Sequence, residues 1–353
     1  MPQQSVAIVV FARTPVPGKA KTRLAAGVGP AAAAEFYRRC AQLIFHSAYR
    51  CASADALVFC SAAEDVPAMQ HWLQHNSTPM PVHAQQQTPD LGLRMLAALT
   101  AAATGTYGNS GLALQEPPVC QSCGEGAADT AAQDYGGTAA ATAAATAAAT
   151  AAATAAPGPA GSVTQLQTCG PIHQQQAQHP GERELQQQCK GYSAVMVIGT
   201  DIPDLSAAVL DAAAAALATH DVVLGPARDG GFYLMGFRTA ALLKPVVQSG
   251  QVFESVQWST DSVLLRTMAG VQRLGLRLAP TDTLPILQDV DTLQDLQAWY
   301  TQTATQQQQQ QQQQLHAEVA DNGSKRGQHS GQDKVQQHRR LLLEHTCELL
   351  ESH

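Results

Sequence analysis

Long apolar runs and clusters of basic residues are both absent from this chain of 353 residues. No stretch approaches the roughly 20 apolar residues that a membrane-spanning helix needs. No basic run is of the kind that binds nucleic acid or an anionic lipid surface, and the net charge of −7 is modest. We therefore expect neither nucleic acid nor a membrane as a partner.

The first residues are not expected to include a targeting leader. The apolar segment that begins at Val6 is predicted to be a core strand, and no basic, Ser-rich leader precedes it. The eight cysteines occur without a signal peptide, which indicates reduced thiols. These features predict a cytoplasmic protein.

Two segments alternate strand patterns with amphipathic helix patterns. Residues 1–104 and 191–300 show the βαβα order that is typical of α/β proteins with a parallel sheet. Residues 105–190 are rich in Ala, Thr and Gln, and residues 301–353 open with a glutamine run. We predict a single domain made of the first two segments, a disordered insertion at 105–190, and a mostly disordered tail with a short terminal helix.

The segment VMVIGTDIPD (195–204) is an apolar run that stops at acidic residues in a Gly/Pro turn. A fully apolar strand is typical of a parallel sheet covered on both faces, and such sheets bind ligands beyond the carboxyl ends of their strands. A carboxylate at that point is a hard oxygen ligand that suits Mg²⁺ or Mn²⁺. We predict that Asp201 is functional, whereas Asp204 is predicted to belong to the start of the next helix.

Three other segments each permit two interpretations. FARTPVPGKAKTRL (11–24), directly after the first strand, is either a phosphate-binding loop or a solvated basic loop. In GPARDGGFY (225–233), Asp229 is either a general base or acceptor-binding group, or part of an ordinary hairpin turn. Asp289 and Asp291 share one side of an extended segment, where they either hold a divalent ion together or only favour the following helix.

Together, and in this order, these motifs resemble the DUF2064 family of radical-SAM/selenodomain-associated glycosyltransferases. The resemblance rests on FARTPVPGKAKTRL, PDLGLRM, VIGTDIPDLS, VVLGPARDGGFYLMGF, VFESVQWSTDSV and DVDTLQDL, which span both segments of the predicted domain. It implies an α/β fold, a three-layer αβα sandwich with the mostly parallel, Rossmann-like sheet of GT-A-like nucleotide-diphospho-sugar transferases. It also implies kinship with phospholactate guanylyltransferase-like nucleotidyltransferases. The departures are Arg13 where Lys is usual, the insertion at 105–190 and the glutamine-rich tail.

The same resemblance implies roles for individual residues. Those implied to bind the nucleotide are Arg13, Gly18, Lys21 and Arg23. Those implied to bind the metal are Asp201, Asp289 and Asp291. Those implied to form the acceptor side are Asp229, Gly230, Gly231, Trp258 and Thr260.

The function expected from these features is a metal-dependent, glycosyltransferase-like enzyme. It would move a sugar from a nucleotide-diphosphate donor to a small-molecule acceptor, with Mg²⁺ or Mn²⁺ as cofactor and with Asp201 and Asp229 as catalytic residues. One alternative is a nucleotidyltransferase that uses a nucleoside triphosphate and releases pyrophosphate. Another is a nucleotide-binding protein without turnover.

Overall fold

The protein is described from a computed structural model over residues 5–107, 191–320 and 332–351, all of which belong to one compact unit. The strands in these ranges are β1 (Val6–Ala12), β2 (Ala54–Cys60), β3 (Val82–Ala84), β4 (Ala194–Ile198), β5 (Val222–Pro226) and β6 (Phe232–Arg238). The helices are α1 (Thr22–Val28), α2 (Pro30–Tyr49), α3 (Val66–His75), α4 (Leu91–Thr104), α5 (Ala207–Ala216), α6 (Thr239–Leu242), α7 (Pro245–Gln248), α8 (Val263–Arg273), α9 (Leu293–Ala320) and α10 (Gln332–Glu351). Short 3₁₀ turns lie at Ala63–Asp65 and Gln251–Phe253.

The six strands form one sheet in the order β3-β2-β1-β4-β6-β5. β1 is parallel to both of its neighbours, β2 and β4, and β3 is parallel to β2. β6 runs antiparallel to β4 and β5. Strands from before and after residues 108–190 therefore pair directly, with Val10 opposite Ile198. The predicted fold class, α/β with a mostly parallel sheet, is confirmed.

Apolar side chains cover both faces of this sheet. The face that includes Ile8 and Met196 packs against α2, α3 and α5. The opposite face, which includes Val9 and Val197, packs against α4 and α6 to α8. Successive residues of a strand point to opposite faces, so a run of consecutive apolar residues supplies both layers. The result is a three-layer αβα sandwich.

Two long helices lie where the sequence predicts a mostly disordered tail. α9 continues through the glutamine run, and α10 is longer than the short terminal helix predicted. Trp299 and Leu342 are buried with Phe36 in a third apolar cluster, on the other side of α2. The prediction of disorder is therefore wrong for the helical parts of the tail. Apolar residues of the tail have a partner surface on α2, and glutamine is itself a good helix former.

Asp204 links this tail to the sheet domain through hydrogen bonds. Its carboxylate accepts a hydrogen bond from Trp299 Nε1 at 3.0 Å and one from Arg339 at 2.6 Å. The start of α5 is capped by Ser206, whose hydroxyl accepts from Val209 N. The prediction that Asp204 serves the helix start is wrong, because its carboxylate bonds to α9 and α10.

The predicted insertion at residues 105–190 falls almost entirely outside the described residues, which end at 107 and resume at 191. Its disorder stays a prediction. Within the described ranges, no helix is both long enough and apolar enough to cross a lipid bilayer.

Candidate functional site

The carboxyl ends of β1 and β4 lie side by side at one edge of the sheet. The two strands are parallel neighbours, so the loop after β1 and the turn after β4 leave the sheet together. The first carries Arg13 and Lys21, and the second carries Asp201. This edge is where a parallel α/β sheet binds its ligands.

Lys21 joins the two acidic segments of the site. Its Nζ donates to Asp201 Oδ2 at 3.1 Å and to Asp291 Oδ1 at 2.5 Å, and only 7% of its side chain is exposed. Its backbone is left-handed, with φ 49°, which is uncommon for a residue with a side chain and occurs where the surrounding structure fixes it. Burial on its own would lower the pKa of Lys21, but the charges of Asp201 and Asp291 raise it above its ordinary value. Lys21 is therefore a fixed ammonium between two carboxylates.

A main-chain hydrogen bond brings Asp291 to the end of β4. Val290 N donates to the carbonyl oxygen of Asp201 at 3.1 Å. The second carboxylate oxygen of Asp291 accepts from Arg23, whose side chain is mostly exposed. Burial works to raise the pKa of Asp201, but the ammonium of Lys21 holds it below the ordinary value. Two carboxylates and two basic side chains from three distant segments thus form one ion-pair cluster.

A buried tyrosine links the two loops. Tyr37, on α2, accepts a hydrogen bond at its Oη from Arg13 N at 3.0 Å, and the same oxygen lies 2.9 Å from Thr200 Oγ1. Burial raises the pKa of Tyr37, so its hydroxyl stays protonated. Thr200 immediately precedes Asp201, so this contact helps to position the carboxylate. The sequence offers no signal for Tyr37, because a tyrosine on the buried side of an amphipathic helix has the pattern of a core residue.

The ion-pair cluster opens onto a cleft of about 500 Å³, a volume within the usual range of small-molecule sites. Its acidic lining residues are Asp201 and Asp291, and its basic ones are Arg13, Lys19, Lys21, Arg23 and Arg94. Five basic groups against two acidic ones favour an anionic ligand. Neither Lys19 nor Arg94 is singled out from the sequence, although Lys19 lies in the basic loop 11–24 and Arg94 in the PDLGLRM motif.

Gly18 shapes the loop after β1 and does not line the cleft. Its φ is 79°, and a Cβ at this position would meet no atom within 4 Å. The need for glycine there is the left-handed backbone of the turn. The nucleotide-binding role that the resemblance implies for Gly18 stays a prediction.

The Asp229 segment is the turn of the β5–β6 hairpin. Asp229 Oδ1 accepts from Gly231 N at 2.8 Å, which closes the turn. Gly230 has φ 86°, and a Cβ there would overlap the carbonyl oxygen of Asp261. The close approach is therefore to the protein's own backbone. None of the three turn residues lines the cleft, so the structure supports the hairpin-turn interpretation over an acceptor-binding side.

Trp258 and Thr260 belong to a packed segment behind the wall of the cleft. The Trp258 ring lies 5.3 Å from that of Phe253 and 6.4 Å from that of Phe232, measured between ring centroids. Thr260 Oγ1 donates to the carbonyl oxygen of Gln257 at 2.8 Å. Phe232 lines the cleft, whereas Trp258 and Thr260 do not. Trp258 therefore packs behind Phe232, and the acceptor-binding role implied for Trp258 and Thr260 stays a prediction.

Asp289 is close enough to the other carboxylates to be affected by their charge, but it does not bond to the same cation. Burial, followed by the charges of Asp229, Asp291 and Asp201, raises its pKa to about 6. Among the described residues, no three His, Cys, Asp or Glu side chains are grouped closely enough to hold a metal ion. The predicted set of Asp201, Asp289 and Asp291 is not assembled, because Asp201 and Asp291 both bond to Lys21. These two carboxylates still converge on one cation, and their oxygens suit Mg²⁺ or Mn²⁺.

The model of the DUF2064 family, described as an uncharacterized protein conserved in bacteria, matches residues 135–260. The chain is therefore similar to this family over about a third of its length. No curated protein matches it. A crystal structure at 1.90 Å from Desulfovibrio desulfuricans G20, of a protein provisionally named a nucleotide-diphospho-sugar transferase, superposes with a TM-score of 0.51. It is 23% identical over 96% of this chain and 97% of that chain, which shows a shared fold.

The DUF2064 match covers one side of the candidate site. It includes Asp201 and the hairpin turn with Asp229, whereas Lys21 and Asp291 lie outside residues 135–260. The ion-pair cluster therefore joins the matched segment to segments before and after it.

Proposed function

We propose that this protein is a metal-dependent transferase that moves a sugar from a nucleotide-diphosphate donor to a small-molecule acceptor. The observation that carries the proposal is the cleft at the ends of β1 and β4, with five basic and two acidic side chains in its lining. This excess of positive charge complements a diphosphate. The shared fold adds support, but fold alone does not determine function, so the argument depends on the cleft.

The loop after β1 is suited to hold the diphosphate. Arg13 and Lys19 line the cleft, and neither has a carboxylate partner among the described residues. A guanidinium can make two parallel hydrogen bonds to a phosphate. Together with Lys21 and Arg23, these groups would stabilise the negative charge that develops on the leaving diphosphate.

Mg²⁺ or Mn²⁺ is the cofactor that fits the acidic side of the cleft. Asp201 and Asp291 converge on the position of the Lys21 ammonium, and Mg²⁺ typically binds through one or two carboxylates together with phosphates and water. When bound, the ion would neutralise phosphate charge. The resemblance also implies Asp289 as a metal-binding carboxylate, and that role stays a prediction, because no described contact joins Asp289 to Asp201 or Asp291. We assign no acid–base role to Asp229, because its carboxylate closes the hairpin turn.

The number of basic groups also favours a second candidate, nucleotidyl transfer. In this reaction an acceptor oxygen attacks the α-phosphate of a nucleoside triphosphate, and pyrophosphate leaves. A triphosphate carries more negative charge than a nucleotide sugar. The excess of basic side chains in the lining suits it at least as well.

Product analysis separates the two reactions. The full chain is incubated with Mn²⁺, a panel of nucleotide sugars and nucleoside triphosphates, and small hydroxyl, phosphate and carboxylate acceptors. Release of a nucleoside diphosphate from a sugar donor supports glycosyl transfer, and release of pyrophosphate supports nucleotidyl transfer. Nucleotide binding in calorimetry, with no product from any pair, would contradict both and indicate a binding protein.

Asp201→Asn tests the assignment of the site. We expect the variant to lose metal-dependent nucleotide binding and to keep its melting temperature within a few degrees of the parent, since the side chain is 37% exposed and the amide preserves its shape. Asp282→Asn is the matched control, because Asp282 is exposed and outside the cleft lining. An Asp201→Asn protein that binds nucleotide and Mn²⁺ as the parent does would show that the site is elsewhere.

A further inference from the structure

An arginine from the opposite face of the sheet also reaches the cleft. Arg94 lies in the first turns of α4, which packs on the sheet face that includes Val197. Ala20, next to Lys21, and Tyr37 pack on the other face. Arg94 nevertheless lines the same cleft as Lys21. A ligand at this edge would therefore meet basic groups from both sides of the sheet.

The guanidinium of Arg94 has no partner in the described part of the chain. Its Nε is buried and makes no hydrogen bond, and no described Asp or Glu pairs with it. Other half-buried arginines are paired, such as Arg38 with Glu35 and Arg339 with Asp204. A buried donor without an acceptor is destabilising and uncommon in folded proteins. In a cleft, a ligand can supply the missing acceptor.

The neighbours of Arg94 make a charged contact there stronger. Leu91 and Met95, on the same helix, also line the cleft, and both are apolar. Apolar surroundings lower the local dielectric, so a charge-assisted hydrogen bond is stronger than it would be in water. The environment thus favours an ionic contact with a ligand.

We propose that Arg94 binds an anionic oxygen group of the ligand, a phosphate or a carboxylate, from the side of the sheet opposite to Lys21. The inference rests on the proposed function and adds a binding residue to that site. The group belongs either to the phosphates of the donor or to the acceptor. The two parallel donors of a guanidinium match phosphate and carboxylate equally well.

The test uses the full chain with Arg94→Gln and Arg94→Lys, and with Arg50→Gln as the matched control. Arg50 is exposed and follows α2 just before β2 begins, away from the strand ends that form the cleft. Inorganic pyrophosphate, UDP and GDP are titrated by calorimetry. The melting temperature of each variant is measured in parallel. So are KM and kcat for the acceptor that product analysis identifies.

We expect Arg94→Gln to weaken pyrophosphate and nucleoside diphosphate binding by about tenfold or more if the group is on the donor. If it is on the acceptor, those affinities stay the same and the acceptor KM rises by a similar factor, with little change in kcat. Arg94→Lys lies between, because an ammonium does not reproduce two parallel hydrogen bonds. The melting temperature of Arg94→Gln stays equal or rises, since an unpaired buried donor is removed, whereas a merely structural role would lower it.

The outcomes separate this inference from the proposed function. If the parent binds nucleotides and Arg94→Gln changes neither the affinities nor the acceptor KM, the inference is overturned and the proposed function stands. If pyrophosphate binds in an Arg94-dependent way and no nucleotide binds, the inference stands and the proposed function fails. If the parent binds none of the probes, both are wrong.

Discussion

Two parts of the molecule carry an acidic turn where a strand ends, and only one of them opens onto the cleft. At the β1–β4 edge, Asp201 pairs with Lys21, which is 180 residues away in the sequence. In the β5–β6 hairpin, Asp229 pairs with Gly231, two residues away. A carboxylate with distant partners holds separate segments around a space, whereas one satisfied locally closes its own turn. The two turns contain the same type of residue, an aspartate. They differ in how far along the sequence the partner of that aspartate lies.

The largest effect in this comparison is expected from Lys21→Met. The substitution removes the ammonium that Asp201 and Asp291 share, so two carboxylates are left to repel each other and the ligand phosphates. We expect about hundredfold weaker binding of a nucleoside diphosphate, which corresponds to the ~3 kcal/mol typical of removing one partner of a buried charge pair. Calorimetry with UDP and GDP measures it.

Lys19→Met is the control for this change. Lys19 belongs to the same loop and lines the same cleft, but it is exposed and has no carboxylate partner among the described residues. We expect a loss of less than about tenfold, because an exposed charge contributes little. Equal losses in the two variants would mean that the ion-pair cluster has no special role.

The hairpin is tested by Gly230→Ala, whose effect falls on stability. A Cβ at Gly230 would overlap the carbonyl oxygen of Asp261, and its φ of 86° is unfavourable for alanine. We expect the free energy of unfolding to fall by about 2–4 kcal/mol, with unchanged nucleotide affinity in the folded protein. Urea unfolding and calorimetry give the two quantities.

Gly18→Ala provides the matched comparison in the loop after β1. Gly18 also has a positive φ, but no atom lies within 4 Å of the added Cβ. Only the backbone cost of about 1–2 kcal/mol is expected. If Gly18→Ala destabilised the protein as much as Gly230→Ala, the packing of the hairpin against Asp261 would not explain the result.

The strands and the loops that follow them could be predicted because their patterns are local. The apolar run that ends before Asp201 forms β4, and the segment from Val6 forms β1. Both end at the sheet edge that the parallel topology predicts for a ligand. The contact between Lys21 and Asp291 spans 270 residues, and no local pattern encodes a pairing of that kind. Tyr37 is hidden for the same reason.

The errors come from features that composition and spacing describe incompletely. The glutamine-rich tail has the composition of a disordered segment, yet Trp299 and Leu342 find a surface on α2. Alternate positions place Asp289 and Asp291 on one side of an extended segment, yet Asp291 bonds to Lys21 and Arg23 while Asp289 does not join them. In both cases the deciding contact is made by a distant element.

The smallest expected effect concerns Asp289. Its pKa is affected by charges at the β1–β4 edge and in the β5–β6 hairpin. Burial and the charges of Asp229, Asp291 and Asp201 raise its pKa to about 6 in the folded protein, compared with about 3.9 in the unfolded chain. Between these values the folded protein holds a proton that the unfolded chain releases. The contribution of Asp289 to stability is therefore fully present below pH ~4 and is lost as the pH rises to ~6.

Asp289→Asn stays neutral at every pH and so avoids this loss. We expect the variant and the parent to be equally stable below pH ~4, and the variant to be more stable by about 1 kcal/mol at pH 7, after allowance for solvent screening. Urea unfolding across this range measures the difference, with Asp282→Asn as the exposed control. If Asp289 also belongs to the proposed metal set, Mn²⁺ at pH 7 will raise the melting temperature of the parent more than that of Asp289→Asn. An identical Mn²⁺ response would remove Asp289 from that set and leave Asp201 and Asp291 as its carboxylates, because a carboxylate that binds the ion cannot be replaced by a neutral amide without weakening it.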